Sequence, residues 1–185
     1  LWRPLGEDDR PLPPELQDVL FADVASDLNV FDSVEEKVKE RFDRIMEEAE
    51  ESSLLAIAQL EDLVSELDAT LPDDGRSPLY CEAAFGRYAL SLLQAPSKKR
   101  YVRLPDFAMH ARVMLVRLYQ EMGDAEAALK RAEECCRLAP TASMPFIMLM
   151  DINEGLGRYD EAIEAAKRGL VPCQVPDEAD YFYYR

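Results

Sequence analysis

The sequence predicts an all-α fold in which antiparallel helix-turn-helix repeats stack as a short α-solenoid. Three observations predict this fold. The stretch from Met109 to Leu170 contains two copies of one pattern, 34 residues apart. Each copy has a central glycine, Gly123 or Gly157. Apolar residues on both sides of each glycine recur at helical spacing. The apolar pairs related by the offset are Leu115 with Leu149, Leu118 with Ile152, Ala128 with Ala162, Leu129 with Ile163, and Ala132 with Ala166. One such hairpin cannot bury its own apolar face, so neighbours must stack, and their concave side becomes a binding surface.

Residues 1–30 are predicted to form an N-terminal arm followed by a short helix. Four prolines and three acidic residues within 1–14 are typical of an extended linker. The spacing of Leu16, Val19, Leu20 and Val24 favours a short helix from residue 15 to about residue 25. Because the chain begins with Leu1 and stops inside an aromatic cluster, we expect it to be a fragment of a larger protein.

Residues 31–74 are predicted to form an acidic helical hairpin. A helical stripe runs through 33–51, and a second one, with Ile57, Leu60 and Val64, follows after Ser52 and Ser53. Two interpretations remain open. The segment 33–71 is either a degenerate repeat or one long helix, since serine is a weak helix breaker and no glycine marks a turn.

The third region, 75–185, contains the repeats, which are clearest in 105–172. It opens with a predicted helix from about Leu79 to Leu93. The segment 96–105 then interrupts the pattern with the basic cluster Lys98, Lys99, Arg100 and Arg103 around Tyr101. Basic residues beside an aromatic one can indicate nucleic-acid contact, but in an acidic chain pairing with the protein's own acidic helices is favoured.

The regular array begins at Pro105. Its first copy is predicted to have a helix over 106–122, a turn at Gly123 and Asp124, and a second helix that ends near Leu138. Pro140 closes this copy because proline cannot continue a helix. The second copy starts its first helix with Pro145, turns at Gly157 and starts its second helix at Tyr159. A further helix is expected from about residue 177, with the aromatic residues Tyr181, Phe182, Tyr183 and Tyr184.

The charge is concentrated at one end of the chain. Residues 1–75 carry 22 acidic and 6 basic side chains, whereas residues 76–185 carry 15 of each sign. Phosphate backbones and anionic lipid surfaces would repel the acidic block, so nucleic-acid and membrane partners are not expected. No run of 18 apolar residues and no signal segment occurs, which together with the cysteine pattern below favours a cytoplasmic protein.

The four cysteines do not form a metal-binding pattern. Cys81, Cys135, Cys136 and Cys173 include no C-x-x-C pair, and the chain has one histidine. The 34-residue offset places Cys135 and Cys136 at positions that face a neighbouring helix. They are therefore interpreted as small buried thiols, and no metal or cofactor is expected.

The repeat resembles the tetratricopeptide repeat family. The matching residues are Leu115, Tyr119, Gly123, Ala128, Cys135 and Pro140 in the first copy, and Leu149, Gly157, Tyr159, Ala162, Ala166 and Gly169 in the second. This resemblance implies a right-handed solenoid whose first helices line a concave groove for extended or helical peptides. The chain departs from the family pattern at Val116 and Met150, where a small residue is usual, and at Asn153, where tyrosine is usual.

The resemblance assigns a candidate ligand-binding groove by helical phase. Its residues are His110, Val113, Met114, Arg117, Gln120, Met144, Ile147, Met148, Asp151, Tyr181 and Phe182. Family members that clamp a carboxylate use lysine and asparagine on these faces, which the Met and Ile residues here disfavour. A methionine-rich groove adapts to differently shaped apolar partners. The alternative, that these methionines are core residues covered by neighbouring helices, remains open.

Three function classes follow from these features. The favoured one is a protein-interaction scaffold that binds an apolar or amphipathic peptide segment in its concave groove. A homodimerisation or spacer module without a separate peptide ligand is the alternative. Enzymatic activity is not expected, because the sequence has neither a nucleophile paired with a base nor a phosphate-binding glycine loop.

Overall fold

The computed structural model describes residues 33–49, 51–81, 101–173 and 176–183. These ranges contain seven helices and two short strands. They are α1 (Ser33–Ala49), α2 (Ser53–Ala69), β1 (Ser77–Leu79), β2 (Tyr101–Arg103), α3 (Asp106–Glu121), α4 (Ala125–Leu138), α5 (Met144–Gly155), α6 (Tyr159–Leu170) and α7 (Pro176–Tyr183). The described chain is thus mostly helical. The predicted arm, the short helix after it and residues 98–100 of the basic cluster lie outside the described residues.

The segment 33–71 forms two helices. α1 ends at Ala49 and α2 begins at Ser53. Ser52 has an extended backbone, and its hydroxyl accepts a hydrogen bond from the Leu55 amide at 3.4 Å. Serine competes for backbone donors at a helix start, so this residue separates the helices without a glycine.

The two glycine turns have the same hydrogen-bond pattern. Gly123 and Gly157 have φ values of 77° and 71°, a left-handed conformation that favours glycine. The Gly123 amide donates to the Gln120 carbonyl at 3.0 Å, and the Gly157 amide donates to the Glu154 carbonyl at 2.9 Å. The two turns, which lie 34 residues apart, therefore share their backbone geometry as well as their sequence pattern. Only the first copy has a side-chain cap, in which Asp124 accepts from the Ala127 amide at 3.0 Å.

Each helix packs against the next helix in the chain from α1 to α7. In addition, α1 contacts α3, and α3 contacts α5, so the alternate helices α1, α3 and α5 are also neighbours. The second helix of each pair therefore lies beside both its own first helix and the first helix of the following pair.

Two apolar cores share helix α3. The smaller core joins α1, α2 and α3 through Ile45, Ala56, Ile57, Leu60, Leu63, Val64, Ala111, Leu115 and Leu118. The larger core joins α3 to α7 and includes Val116, Ala132, Cys135, Phe146 and Leu149. Because α3 contributes different faces to the two cores, it connects the acidic helices to the regular copies.

The helix predicted from about Leu79 to Leu93 does not begin at Leu79, and its residues 82–93 lie outside the described residues. Residues 77–79 form β1, which pairs in parallel with β2, with Leu79 opposite Arg103. Pro78 disfavours helical geometry at Ser77, and Tyr101 and Val102 are residues that suit a strand. The Tyr80 amide donates to the Leu138 carbonyl at 2.7 Å, so the strand pair leads the chain to the end of α4.

Candidate binding surface

The structure divides the eleven predicted groove residues into three groups by exposure. His110, Arg117, Gln120 and Met144 are exposed, Val113, Met114, Ile147, Asp151 and Tyr181 are half-buried, and Met148 and Phe182 are buried. The groove residues thus do not form one uniform surface.

Met148 and Phe182 are buried side chains and not exposed residues of the predicted groove. Each is 7% exposed and belongs to the larger core. A β-carbon added to Gly169 would lie 2.3 Å from Phe182 Cζ, so the Phe182 ring rests directly on the α6 backbone. The physical reason is the position of each side chain around its helix axis. Successive residues of a helix are rotated by about 100°, and at Met148 and Phe182 this rotation directs the side chain toward the core and away from the surface.

Met114 is half-buried and, unlike the other half-buried groove residues, lies beside the smaller core. It packs against the smaller core on the α2 side of α3, whereas Val113 packs against the larger core. The surface is therefore not lined by three methionines, and among the groove methionines Met144 is the exposed one at 47%.

The remaining residues define what we call the first-helix face, on α3, α5 and α7. It consists of His110, Val113, Arg117, Gln120, Met144, Ile147, Asp151 and Tyr181. A direct contact joins two of its helices, because the Tyr181 hydroxyl donates to Asp151 Oδ2 at 3.0 Å. Asp151 Oδ1 is buried and accepts no hydrogen bond from the described residues.

Aromatic rings extend this face toward α1. The Phe107 and His110 ring centroids are 5.8 Å apart in an edge-to-face arrangement, and Phe42 of α1 lies 5.9 Å from Phe107 and 6.5 Å from His110. Such offsets are favourable for aromatic pairs. His110 is therefore held by neighbouring rings at the edge of the surface.

Helix α3 contains a buried arginine that the sequence pattern did not predict. Arg112 is 1% exposed. Its guanidinium donates to Glu134 Oε1 at 2.8 Å, to Asp68 Oδ1 at 2.5 Å and to the Ala108 carbonyl at 2.8 Å. These contacts tie α2, α3 and α4 together. The sequence does contain one sign of this burial. Arg112 lies three positions before Leu115, within the apolar stripe of α3.

Glu134 continues this network to Arg131. This side chain contacts Glu134 at 2.5 Å and forms an ion pair with Glu61, which also accepts from the Tyr119 hydroxyl at 2.9 Å. Burial opposes ionisation of Glu134, but the hydrogen bonds and charges of Arg112 and Arg131 outweigh it and hold the pKa of this carboxyl below its usual value. We call Arg112, Arg131, Asp68, Glu61 and Glu134 the arginine–carboxylate network.

Cys135 and Cys136 are buried free thiols, as the repeat phase predicted. Burial raises the pKa of each to about 12. A thiol with so high a pKa is a poor nucleophile and metal ligand at neutral pH. Within the ranges that the structure describes, no cluster of three or more His, Cys, Asp and Glu side chains is arranged to hold a metal ion.

A second surface, which we call the end groove, opens between α5, α6 and α7. It is a cavity of about 420 Å³ lined by Met150, Glu154, Tyr159, Ala162, Ile163, Ala166, Lys167, Leu170 and Phe182. Its lining comes mainly from α6. No pattern in the sequence assigns these residues to a site.

Comparison with known proteins adds no assignment. No protein-family model matches the sequence, and no curated protein matches it either. Among the described helices, none has both the length and the apolar character needed to cross a membrane.

Proposed function

We propose that this chain is a protein-interaction module related in design to tetratricopeptide repeats. Its helical pairs stack as a short right-handed α-solenoid, and the first-helix face binds an amphipathic peptide segment of a protein partner. The observation that carries the proposal is the hydrogen bond between Tyr181 and Asp151, since it joins α7 to α5 where the predicted groove residues lie.

The order of helix contacts supports the stacking. In a solenoid of helical pairs, each second helix packs on its own first helix and on the first helix of the next pair. The contacts of α2 with α3 and of α4 with α5 follow this rule, as do the contacts between the first helices α1, α3 and α5. On this basis α1 and α2 form the degenerate first repeat.

The composition of the face supports an amphipathic ligand. Met144, Ile147 and Val113 offer apolar contact area, whereas Arg117, Gln120 and Asp151 offer polar contacts. A peptide with apolar side chains on one side buries the first group.

Selection of a random peptide library against the 185-residue chain tests this function. We expect enrichment of sequences with apolar residues at helical or alternating spacing, and binding of a synthetic copy in the micromolar range, about −8 kcal/mol. The substitutions M144E and R117E place new charge on exposed positions of the face. We expect each to weaken binding about tenfold or more, measured by calorimetry.

The matched control is K130E, which changes the charge of an exposed residue on the second helix α4. It should bind the selected peptide as the unmodified chain does. Failure to enrich any sequence, or equal weakening by K130E and R117E, would reject the first-helix face as the binding site.

A further inference from the structure

The α6 side of the end groove corresponds, by the 34-residue offset, to a face of α4 that packs against α5. Subtracting 34 from Ile163, Ala166 and Leu170 gives Leu129, Ala132 and Cys136 of α4, which pack in the larger core with α5. On α6 the corresponding face is covered in part by α7, and Tyr159 and Ile163 remain 65% and 53% exposed. The part of this face around Ile163 is therefore accessible to a further helix.

The open side of α6 has the spacing of a helix-pairing seam. Tyr159, Ile163, Ala166 and Leu170 follow one another at intervals of four, three and four residues, which keeps them on one stripe. Asp160 and Lys167 lie seven residues apart along the outer edge of this stripe, and both are exposed. The seam thus combines an apolar centre with an outer edge that is acidic at its start and basic at its end.

We propose that the end groove binds α6 of a second copy of this chain, in an antiparallel pair about a two-fold axis. In that arrangement Ile163 lies beside Ala166 of the second copy, Tyr159 lies beside Leu170 of the second copy, and Asp160 faces Lys167 of the second copy. The two-fold axis repeats every one of these contacts. The proposal does not depend on peptide binding by the first-helix face.

Charge complementarity selects a second copy as the occupant. The acidic residues of α6 lie in its first half (Asp160, Glu161 and Glu164), and the basic residues Lys167 and Arg168 lie in its last turn. Antiparallel pairing of two such helices brings opposite charges together at both ends, whereas parallel pairing brings like charges together. Ala166 is small, so the larger Ile163 side chain fits next to it and enters the cavity of about 420 Å³.

The first test is the molar mass of the 185-residue chain across concentrations, measured by sedimentation equilibrium. We expect a reversible monomer–dimer equilibrium that I163D shifts to monomer. L55D is the matched control, because Leu55 is an exposed apolar residue on the distant helix α2. A monomer at all concentrations overturns the proposal, and so does a dimer that I163D leaves intact. Circular dichroism verifies that each variant keeps its helices.

The second test uses the symmetry of the charge pairs. D160K and K167E each convert two attractive pairs to two repulsive ones, so we expect about a tenfold weaker dimer for each, or about 1.4 kcal/mol. An equimolar mixture of D160K and K167E should form a heterodimer as tight as the original dimer. In that heterodimer the new lysine faces the new glutamate, and native Lys167 faces native Asp160.

E161K is the control for the charge tests. Glu161 is adjacent to Asp160 in the same first helical turn, but it lines the opposite side of α6 with Leu129 and Arg168. We expect E161K to dimerise as the unmodified chain does. A mixture of D160K and K167E that pairs no better than either variant alone overturns the antiparallel register.

Discussion

Glu134 shows how single residues hold three helices together. Its carboxylate accepts from Arg112 of α3 and Arg131 of its own helix, and Arg112 also reaches Asp68 of α2. Arg112 is almost fully buried, so removing a carboxylate leaves a desolvated positive charge with fewer partners. The network is therefore a specific, charge-dependent element of stability.

We predict that E134Q destabilises the fold by about 1–3 kcal/mol at neutral pH. Because the folded-state pKa of Glu134 is lowered from 4.5, its contribution is present above the unfolded pKa. It is lost as the pH falls through the folded pKa. The difference between the unmodified chain and E134Q, measured by urea denaturation, should therefore shrink below about pH 4.5.

The neighbouring exposed residue supplies the control for this prediction. E133Q removes the same charge from an exposed position of α4, and it should change the free energy of unfolding by less than about 0.5 kcal/mol. A difference between E134Q and the unmodified chain that persists unchanged at pH 3 would contradict an electrostatic origin.

At the scale of elements, the packing of α7 depends on a glycine. Gly169 brings the α6 backbone against the Phe182 ring and Phe146, and an added β-carbon would lie 2.3 Å from Phe182 Cζ and 2.8 Å from Phe146 Cβ. In the first copy the same position is Cys135, so the glycine is a local adaptation to an aromatic neighbour. Its role is close approach, since Gly169 does not have a positive φ.

We predict that G169A destabilises the protein by about 1–3 kcal/mol through overpacking, with the loss concentrated in the docking of α7. G155A is the matched control. Gly155 is also in a helix, but an added β-carbon there meets no atom within 4 Å, so the helix preference of alanine should stabilise it by up to about 1 kcal/mol. Thermal denaturation compares the two. Equal stabilisation by both substitutions would show that Phe182 moves aside without cost.

At the scale of the whole molecule, the stability of each helix should depend mainly on the helices that it contacts. The smaller core holds α1, α2 and one face of α3, and the larger core holds the other face of α3 and helices α4 to α7. If the chain is a solenoid as proposed, each pair is stabilised mainly by its nearest neighbours. A substitution that destabilises one core should then destabilise the helices of that core more than the distant helices.

We predict that L60A, at a fully buried position of the smaller core, costs about 2–5 kcal/mol locally. Hydrogen exchange read by mass spectrometry should show the largest loss of protection in α1 and α2, a smaller loss in α3, and little loss in α5 and α6. The matched substitution L149A in the larger core should reverse this order. Uniform loss in all helices for both variants would indicate one cooperative unit.

The sequence by itself determined the helices of the regular copies and their turns. The 34-residue offset located α3 to α6 to within a few residues, because helical periodicity and a left-handed glycine are local properties. The same local phase predicted the burial of Cys135 and Cys136. It did not predict β1 and β2, since pairing Leu79 with Arg103 depends on contacts between distant segments.

The tertiary structure alone decided which predicted groove residues are accessible and which other surface is open. Periodicity places Ile147 and Met148 next to each other on α5, but only the positions of neighbouring helices leave the first half-exposed and bury the second. Helix packing also surrounds Arg112 with carboxylates from α2 and α4. It leaves Ile163 exposed, whereas the corresponding residue Leu129 packs against the larger core. Burial is a property of what packs against a side chain, and a residue's own helix specifies only the direction in which that side chain points.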